Sequence, residues 1–264
     1  MKTNHVRTTL KSGQPSFGTW LTLPDFVSAR QMAGCGFEWL AVEMEHAPFE
    51  LDLATPCFAA IADTGAVPLV RVAWNTGENI KRVLDCGAFG IIVPMVNSRA
   101  EAEQVVAHAR YHPIGSRSVG GQLHAVNFQT DPATYYARAN GEVLVVIMAE
   151  HIKAVEDAEK ILSVPGIDAV FIGPNDLLAS MGKPPAFESP DPRFEEALAH
   201  IRTVAKKCGI ASGIHVADVA AAQRRAKEGF QFISVASELG MMLSKAAEIT
   251  SALGLSGRRA GAKY

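Results

Sequence analysis

Two carboxylates and a histidine follow a short apolar run early in the chain: Trp39-Leu40-Ala41-Val42 empties into Glu43-Met44-Glu45-His46. An apolar strand that ends at once in titratable groups is how a parallel barrel presents its chemistry. An isolated Glu-x-Glu-His fits a solvated turn equally well. Repetition separates the two readings, because Val70 runs into Arg71, Val146-Ile147-Met148 into Glu150, and Val170-Phe171-Ile172 into Gly173-Pro174-Asn175-Asp176.

Glu150 and Asp176 stand alone as well for a helix cap or a surface charge. As a pair on neighbouring strands they suit an octahedral hard cation, with substrate oxygens and waters in the remaining positions. Arg71, flanked by Val70 and Val72, needs an anion or water; a bound carboxylate satisfies it, and so does an internal partner such as Glu43 or Glu150. A metal chelating an α-keto acid, with an arginine on its carboxylate, suits enolate formation. Lysines are missing from every expected strand, which argues against Schiff-base chemistry. His46 is the candidate base. His215 is a second histidine near a strand end, for which polar packing is the expected role. Trp20 is a pocket wall or plain core, and Asp85 by itself reads as an ordinary helix-end residue.

These residues need elements that bring them to one place. Strands are expected at Ser16–Leu21, Trp39–Glu43, Val67–Val72, Gly90–Val96, Val143–Met148, Ala169–Ile172, Ile210–Ile214 and Phe232–Val235. Helices are expected from Pro24-Asp25-Phe26 to Met32, over Leu51–Thr64, and from a Thr76 cap to Asp85. Others follow a Ser98 cap boxed by Glu101, then cover Ile152–Leu162, Arg193–Lys207 and Glu238–Leu253. Near-continuous apolar strands alternating with helices mean a parallel sheet, and eight units mean closure into a single-domain (β/α)8 TIM barrel over residues 1–264. An open doubly wound sheet lacks its Gly-x-Gly-x-x-Gly after the first strand. The stretch from His112 to about Asp131 reads as a long irregular loop that shapes the far end of the pocket together with a partner subunit. Lys183–Pro192, with four prolines, reads as a stiff connector.

The 264 residues are 48% hydrophobic and 20% charged, enough for one large core. A formal charge of -2 offers no field for nucleic acid or an anionic membrane, so the expected partners are small molecules or further copies of the chain. Cys35, Cys57, Cys86 and Cys208 show no Cys-x-x-Cys spacing and are expected to be core thiols in a reducing compartment. No apolar run approaches the roughly 18 residues of a membrane span. A cytoplasmic enzyme with nothing removed is the expectation.

The ordered set Gly18-Thr19-Trp20, Glu45-His46-Ala47-Pro48, Val70-Arg71, Val93-Pro94-Met95-Val96, Gly115-Ser116-Arg117, Glu150 and Phe171-Ile172-Gly173-Pro174-Asn175-Asp176-Leu177 resembles the HpcH/HpaI family of class II pyruvate aldolases. The resemblance covers nearly the whole chain. It implies a lyase that cleaves a 4-hydroxy-2-oxo acid into pyruvate, or a pyruvate analogue, and an aldehyde, as in the breakdown of aromatic compounds or sugar acids. It implies a modified barrel, with dimers that exchange C-terminal helices and assemble as a hexamer. It also implies Mg²⁺, Mn²⁺ or Co²⁺ held by Glu150 and Asp176, with Arg71 on the pyruvyl oxygens and Trp20 beside them. The backbone of Gly173, Pro174, Asn175 and Asp176 would grip the carboxylate, and His46 would act as the base. Asp85 matches an aspartate that a neighbouring subunit supplies to the histidine.

Three residues depart from the family pattern: Glu43 replaces an aspartate that helps organise metal-bound water, Met148 replaces a glutamine, and Glu238 is the acidic residue after strand eight. The first two motivate one alternative, a barrel without turnover that binds a keto acid. A related lyase acting on acyl-CoA is another, although the tail pair Arg258-Arg259 offers little of the basic patch that a nucleotide needs. A phosphate-binding barrel is disfavoured, since Ser212-Gly213 and Gly240 form no clear cradle.

Overall fold

A computed structural model describes residues 1–255, so Arg258-Arg259 lies outside the described residues. Its strands are β1 (Ser16–Leu21), β2 (Trp39–Glu43), β3 (Val67–Arg71), β4 (Gly90–Val93), β5 (Leu144–Ala149), β6 (Ala169–Ile172), β7 (Ala211–Val216) and β8 (Phe232–Ser237). All neighbours pair in parallel, and β8 closes on β1 to give an eight-stranded barrel. The helices are α1 (His5–Lys11), α2 (Phe26–Ala33), α3 (Leu51–Thr64), α4 (Gly77–Asp85), α5 (Arg99–Ala109), α6 (Leu123–Asn127) and α7 (Pro132–Glu142). After β5 come α8 (Ile152–Glu156), α9 (Ala158–Leu162), α10 (Pro174–Ser180), α11 (Pro192–Lys207), α12 (Val219–Glu228) and α13 (Glu238–Ala252).

Aromatic rings fill the barrel. Trp39 stacks on Phe232 at 4.3 Å, Phe232 meets Phe171 edge-on, and Phe171 meets Trp20 at 5.7 Å. Gly18 on the strand beside Trp39 leaves the space for that ring, and a Cβ there would collide with the indole. The stack ends at Trp20, so the packed interior leads directly to the mouth.

Several expected elements differ from those observed. β4 stops at Val93 rather than Val96, because Pro94 has no N–H for the ladder and Met95 turns to a φ of 55°. The expected helix over Ile152–Leu162 breaks at Asp157, whose ψ of 16° ends α8 and starts α9. The loop after Tyr111 contains α6, and it leaves α5 at the end of the barrel opposite the mouth. In this chain it therefore folds over the floor, not the pocket. Glu101 boxes the start of α5 through Asn97 N–H at 2.7 Å, one residue before the Ser98 cap. All four cysteines are free, but only Cys57 is buried; Cys35 is exposed, and Cys86 and Cys208 are half-buried.

Candidate active site

The mouth is built from the C-terminal ends of the strands, and Arg71 at the end of β3 is its hub. β2 pairs with β3 so that Glu43 lies opposite Arg71. Glu43 Oε2 accepts from Arg71 Nε at 2.6 Å, while Oε1 accepts the N–H groups of Glu45 (2.7 Å) and His46 (3.1 Å). With both oxygens engaged and the side chain buried, Glu43 positions the arginine and the turn carrying Glu45 and His46. Arg71 Nη1 faces Glu45 Oε2 at 3.1 Å and Met148 Sδ at 3.9 Å, its guanidinium lies 5.0 Å over the Trp20 ring, and Nη2 has no partner among the described residues. The internal partner foreseen for Arg71 is therefore present, and one prong still remains for a ligand anion.

Glu45 links this hub to His46. Its Oε2 lies 3.7 Å from His46 Nε2 and is buried without a partner in hydrogen-bond geometry. Burial raises its pKa, against the pull of Arg71 and His46. The His46 ring is 66% exposed, so it stands at the rim with one face open.

Glu150 follows β5 and is buried; Oε1 accepts from Met95 N–H at 2.7 Å, the bond for which Met95 adopts its left-handed turn. Burial pushes the Glu150 pKa up to about 7, and the charges of Glu45 and Asp176 add to the rise. Gly173 lies against this carboxylate: a Cβ there would come within 2.6 Å of Glu150 Oε2. Pro174, Asn175 and Asp176 form the first turn of α10, where the N–H groups of Asn175 and Asp176 have no intrahelical partner.

No group of three or more His, Cys, Asp or Glu side chains among the described residues is arranged around an ion. Two carboxylates with open positions between them nevertheless fit a hard cation that takes its other oxygens from substrate and water. Glu43, Glu45 and Glu150 surround a single arginine, and burial, helped by the charges of Glu45 and Asp176, raises the Glu150 carboxyl to about 7. The residues present fit a divalent metal.

Trp20 is both core and wall: nearly buried, it shows its face to Arg71 and donates Nε1–H to His215 Nδ1 at 3.1 Å. His215, expected only to pack, sits at the mouth end of β7; desolvation and the charge of Arg71 push its pKa down to about 4. Glu238 closes the barrel seam by accepting from Thr22 N–H and from Leu23 N–H (2.7 Å). Asp85 is the one predicted site residue absent from this mouth. It ends α4 at the floor, bonded to the buried Arg117 Nη2 at 2.6 Å.

The profile of the HpcH/HpaI aldolase/citrate lyase family matches residues 16–245. This chain belongs to that family. It is 35% identical over 246 residues to a hydroxypyruvate/pyruvate aldolase of Rhizorhabdus wittichii, covering 93% of this chain and 97% of the relative. A 4-hydroxy-2-oxo-heptane-1,7-dioate aldolase of Escherichia coli is 36% identical over 251 residues, 94% of each chain. Among solved structures, an HpcH/HpaI aldolase/citrate lyase family protein from Burkholderia cenocepacia superposes with a TM-score of 0.88 at 30% identity, covering 96% of this chain and 100% of that one. An HpcH/HpaI aldolase from Desulfitobacterium hafniense gives 0.87 at 28% identity, covering 96% and 98%. In this mouth Glu43 reaches Arg71 Nε, and Met148 contacts Arg71 only through sulfur.

Proposed function

We propose that the chain is a class II aldolase that cleaves a 4-hydroxy-2-oxo acid reversibly into pyruvate, or a close analogue, and an aldehyde. The observation that carries this reading is Arg71: clamped by Glu43 and Glu45 on two nitrogens, it keeps Nη2 free and feels the charge of Glu150. A carboxylate or keto oxygen of the oxo acid meets that prong, and the N–H groups at the start of α10 face the same end of the substrate. A divalent cation such as Mg²⁺, Mn²⁺ or Co²⁺, held by Glu150 and Asp176, would supply positive charge where the keto oxygen becomes negative.

In the cleavage direction His46 takes the proton of the C4 hydroxyl. The C3–C4 bond breaks, its electron pair passes to the pyruvyl fragment as the enolate, and the aldehyde departs. A proton then returns to C3 to complete pyruvate. Glu45, 3.7 Å from His46 Nε2, stabilises the imidazolium during the transfer.

The further assignments concern assembly. The His46 ring is exposed and finds no aspartate in its own chain, and α13 carries exposed Met242, Leu243 and Ile249, with exposed Leu253 as its cap. Both features suit a trimer of dimers in which α13 is exchanged and the partner subunit's Asp85 orients His46. Among the described residues no helix is long and apolar enough to cross a membrane, and free cysteines suit a reducing compartment, so the cytoplasm is the proposed location.

Exchange of the pyruvate methyl protons in D₂O, followed by NMR with Mg²⁺ and again after EDTA, tests the reading without a guess at the aldehyde. Exchange that EDTA abolishes is expected. Its absence in protein that binds metal tightly would replace the aldolase with a barrel lacking turnover.

A further inference from the structure

His215 takes no part in the chemistry proposed above, yet it lies in the mouth in a defined protonation state. Its Nδ1 is 3.1 Å from Trp20 Nε1 and 3.2 Å from Ser234 Oγ. An indole nitrogen can only donate, so Nδ1 must present its lone pair. A neutral imidazole that accepts at Nδ1 carries its proton on Nε2. Burial beside Arg71 keeps the ring neutral, with its pKa pushed down to about 4.

The ring is held on three sides. Ser234 lies behind it, Trp20 meets it edge-on at 6.1 Å between centroids, and Phe187 from the connector before α11 packs its edge against it at 4.9 Å. Nε2 has no protein partner among the described residues, yet it is not closed off from solvent. An N–H donor fixed in this way, at the edge of an aromatic wall, is available to a ligand.

The position of Arg71 says which part of the ligand. The guanidinium lies 5.0 Å over the face of Trp20, and His215 is bonded to the edge of the same ring. An oxo acid anchored on Arg71 runs its carbon chain past the indole, and the end remote from the carboxylate, which derives from the aldehyde, reaches His215. We propose that His215 selects the aldehyde: its Nε2–H donates to an oxygen on the carbon next to the aldehyde carbonyl, so the enzyme favours short 2-oxygenated aldehydes over alkyl aldehydes. This rests on the aldolase reading and specifies its second substrate.

Glycolaldehyde and propanal differ by a hydroxyl in place of a methyl, and the ratio of their kcat/KM values with pyruvate reads the donor directly. The unaltered enzyme prefers glycolaldehyde. His215→Leu lowers that ratio about tenfold, the loss expected for one hydrogen bond, while pyruvate methyl exchange continues. His215→Gln, which keeps an N–H, retains much of the preference. An unchanged ratio in His215→Leu with exchange intact overturns the proposal, as does an equal loss in the Leu and Gln variants, which would assign the effect to packing. If His215→Leu does not fold, Trp20→Phe takes its place, because phenylalanine cannot fix the tautomer; a several-fold fall supports the assignment and an unchanged ratio overturns it. Failure of methyl exchange in the unaltered enzyme overturns the aldolase reading and this inference together, whereas exchange without aldehyde preference overturns this inference alone.

Discussion

The two ends of the barrel handle buried charge in opposite ways. At the floor, Asp168 sits just before β6 and accepts from Arg7 Nε and Arg110 Nη2, both at 2.8 Å, and from Val145 N–H at 3.0 Å. Arg110 spends its remaining donors on the carbonyls of Asn140, Val143 and Gly166 at 2.7–3.0 Å. Cations outnumber the anion there, and carbonyl oxygens complete the arginine's shell. At the mouth, three carboxylates, Glu43, Glu45 and Glu150, face one arginine, Glu45 Oε2 is buried without hydrogen-bond geometry, and burial raises Glu150 to about 7. The Asp168 cluster at the floor is satisfied and holds the fold, whereas the carboxylates at the mouth are left short of partners where substrate binds.

Separating stability from activity is the sharpest test of that contrast. Asp168→Ala leaves two guanidinium groups facing each other near the floor, and the cost is about 3–5 kcal/mol in urea unfolding. Pyruvate exchange per folded molecule stays as it was. Asp176→Ala does the reverse: turnover falls by about a thousandfold or more, the response to added Mn²⁺ disappears, and thermal stability holds or rises as the acidic cluster loses a member. A loss of activity in the first variant, or an unchanged Mn²⁺ response in the second, would break the division between the ends.

The sequence carried the floor and the mouth unequally. β2 and β6 match their expected limits because apolar runs there are bounded by polar or turn residues, whereas β4 was overrun because Pro94-Met95-Val96 continues the apolar pattern into a turn that serves Glu150. α12 buries little more than Ala221, Ala222 and Arg225, which is too small a stripe to show as helical periodicity. α1 is one short piece announced only by its Asn4 cap. In the site, the partnership of Glu43 with Arg71 was legible as an alternative. The bridging by Glu45 was not, because it depends on how the turn after β2 folds back. The tautomer of His215 depends on Trp20, at the opposite end of the chain in sequence, and no local pattern encodes that meeting.

His46→Ala probes the rim of the mouth. It lowers turnover by at least about a hundredfold and leaves metal and pyruvate binding nearly intact, since Arg71, Glu150 and Asp176 are untouched. Thermal stability shifts little because the ring is mostly exposed. Calorimetric titration with Mn²⁺ and pyruvate, beside a turnover assay, separates the two effects; retained turnover would remove His46 from the mechanism.

The smallest effect is also the most specific to the buried carboxyl at the mouth. Glu150 has its folded pKa raised from 4.5 to about 7, so the folded protein holds a proton that the unfolded chain has lost. Stability from this group is therefore present below pH 4.5 and is lost as pH rises through 7, an upper cost of about 3 kcal/mol. A cation between Glu150 and Asp176 offsets that cost only where Glu150 is ionised. At tenfold excess over its dissociation constant it contributes about 1.4 kcal/mol, or about 3–5 °C in Tm for a chain near this size. The gain with Mg²⁺ or Mn²⁺ is expected in full at pH 8, much reduced at pH 5, and absent in Asp176→Ala. Equal gains at both pH values would mean that the cation binds away from Glu150, and the contrast between the two ends would lose its electrostatic basis.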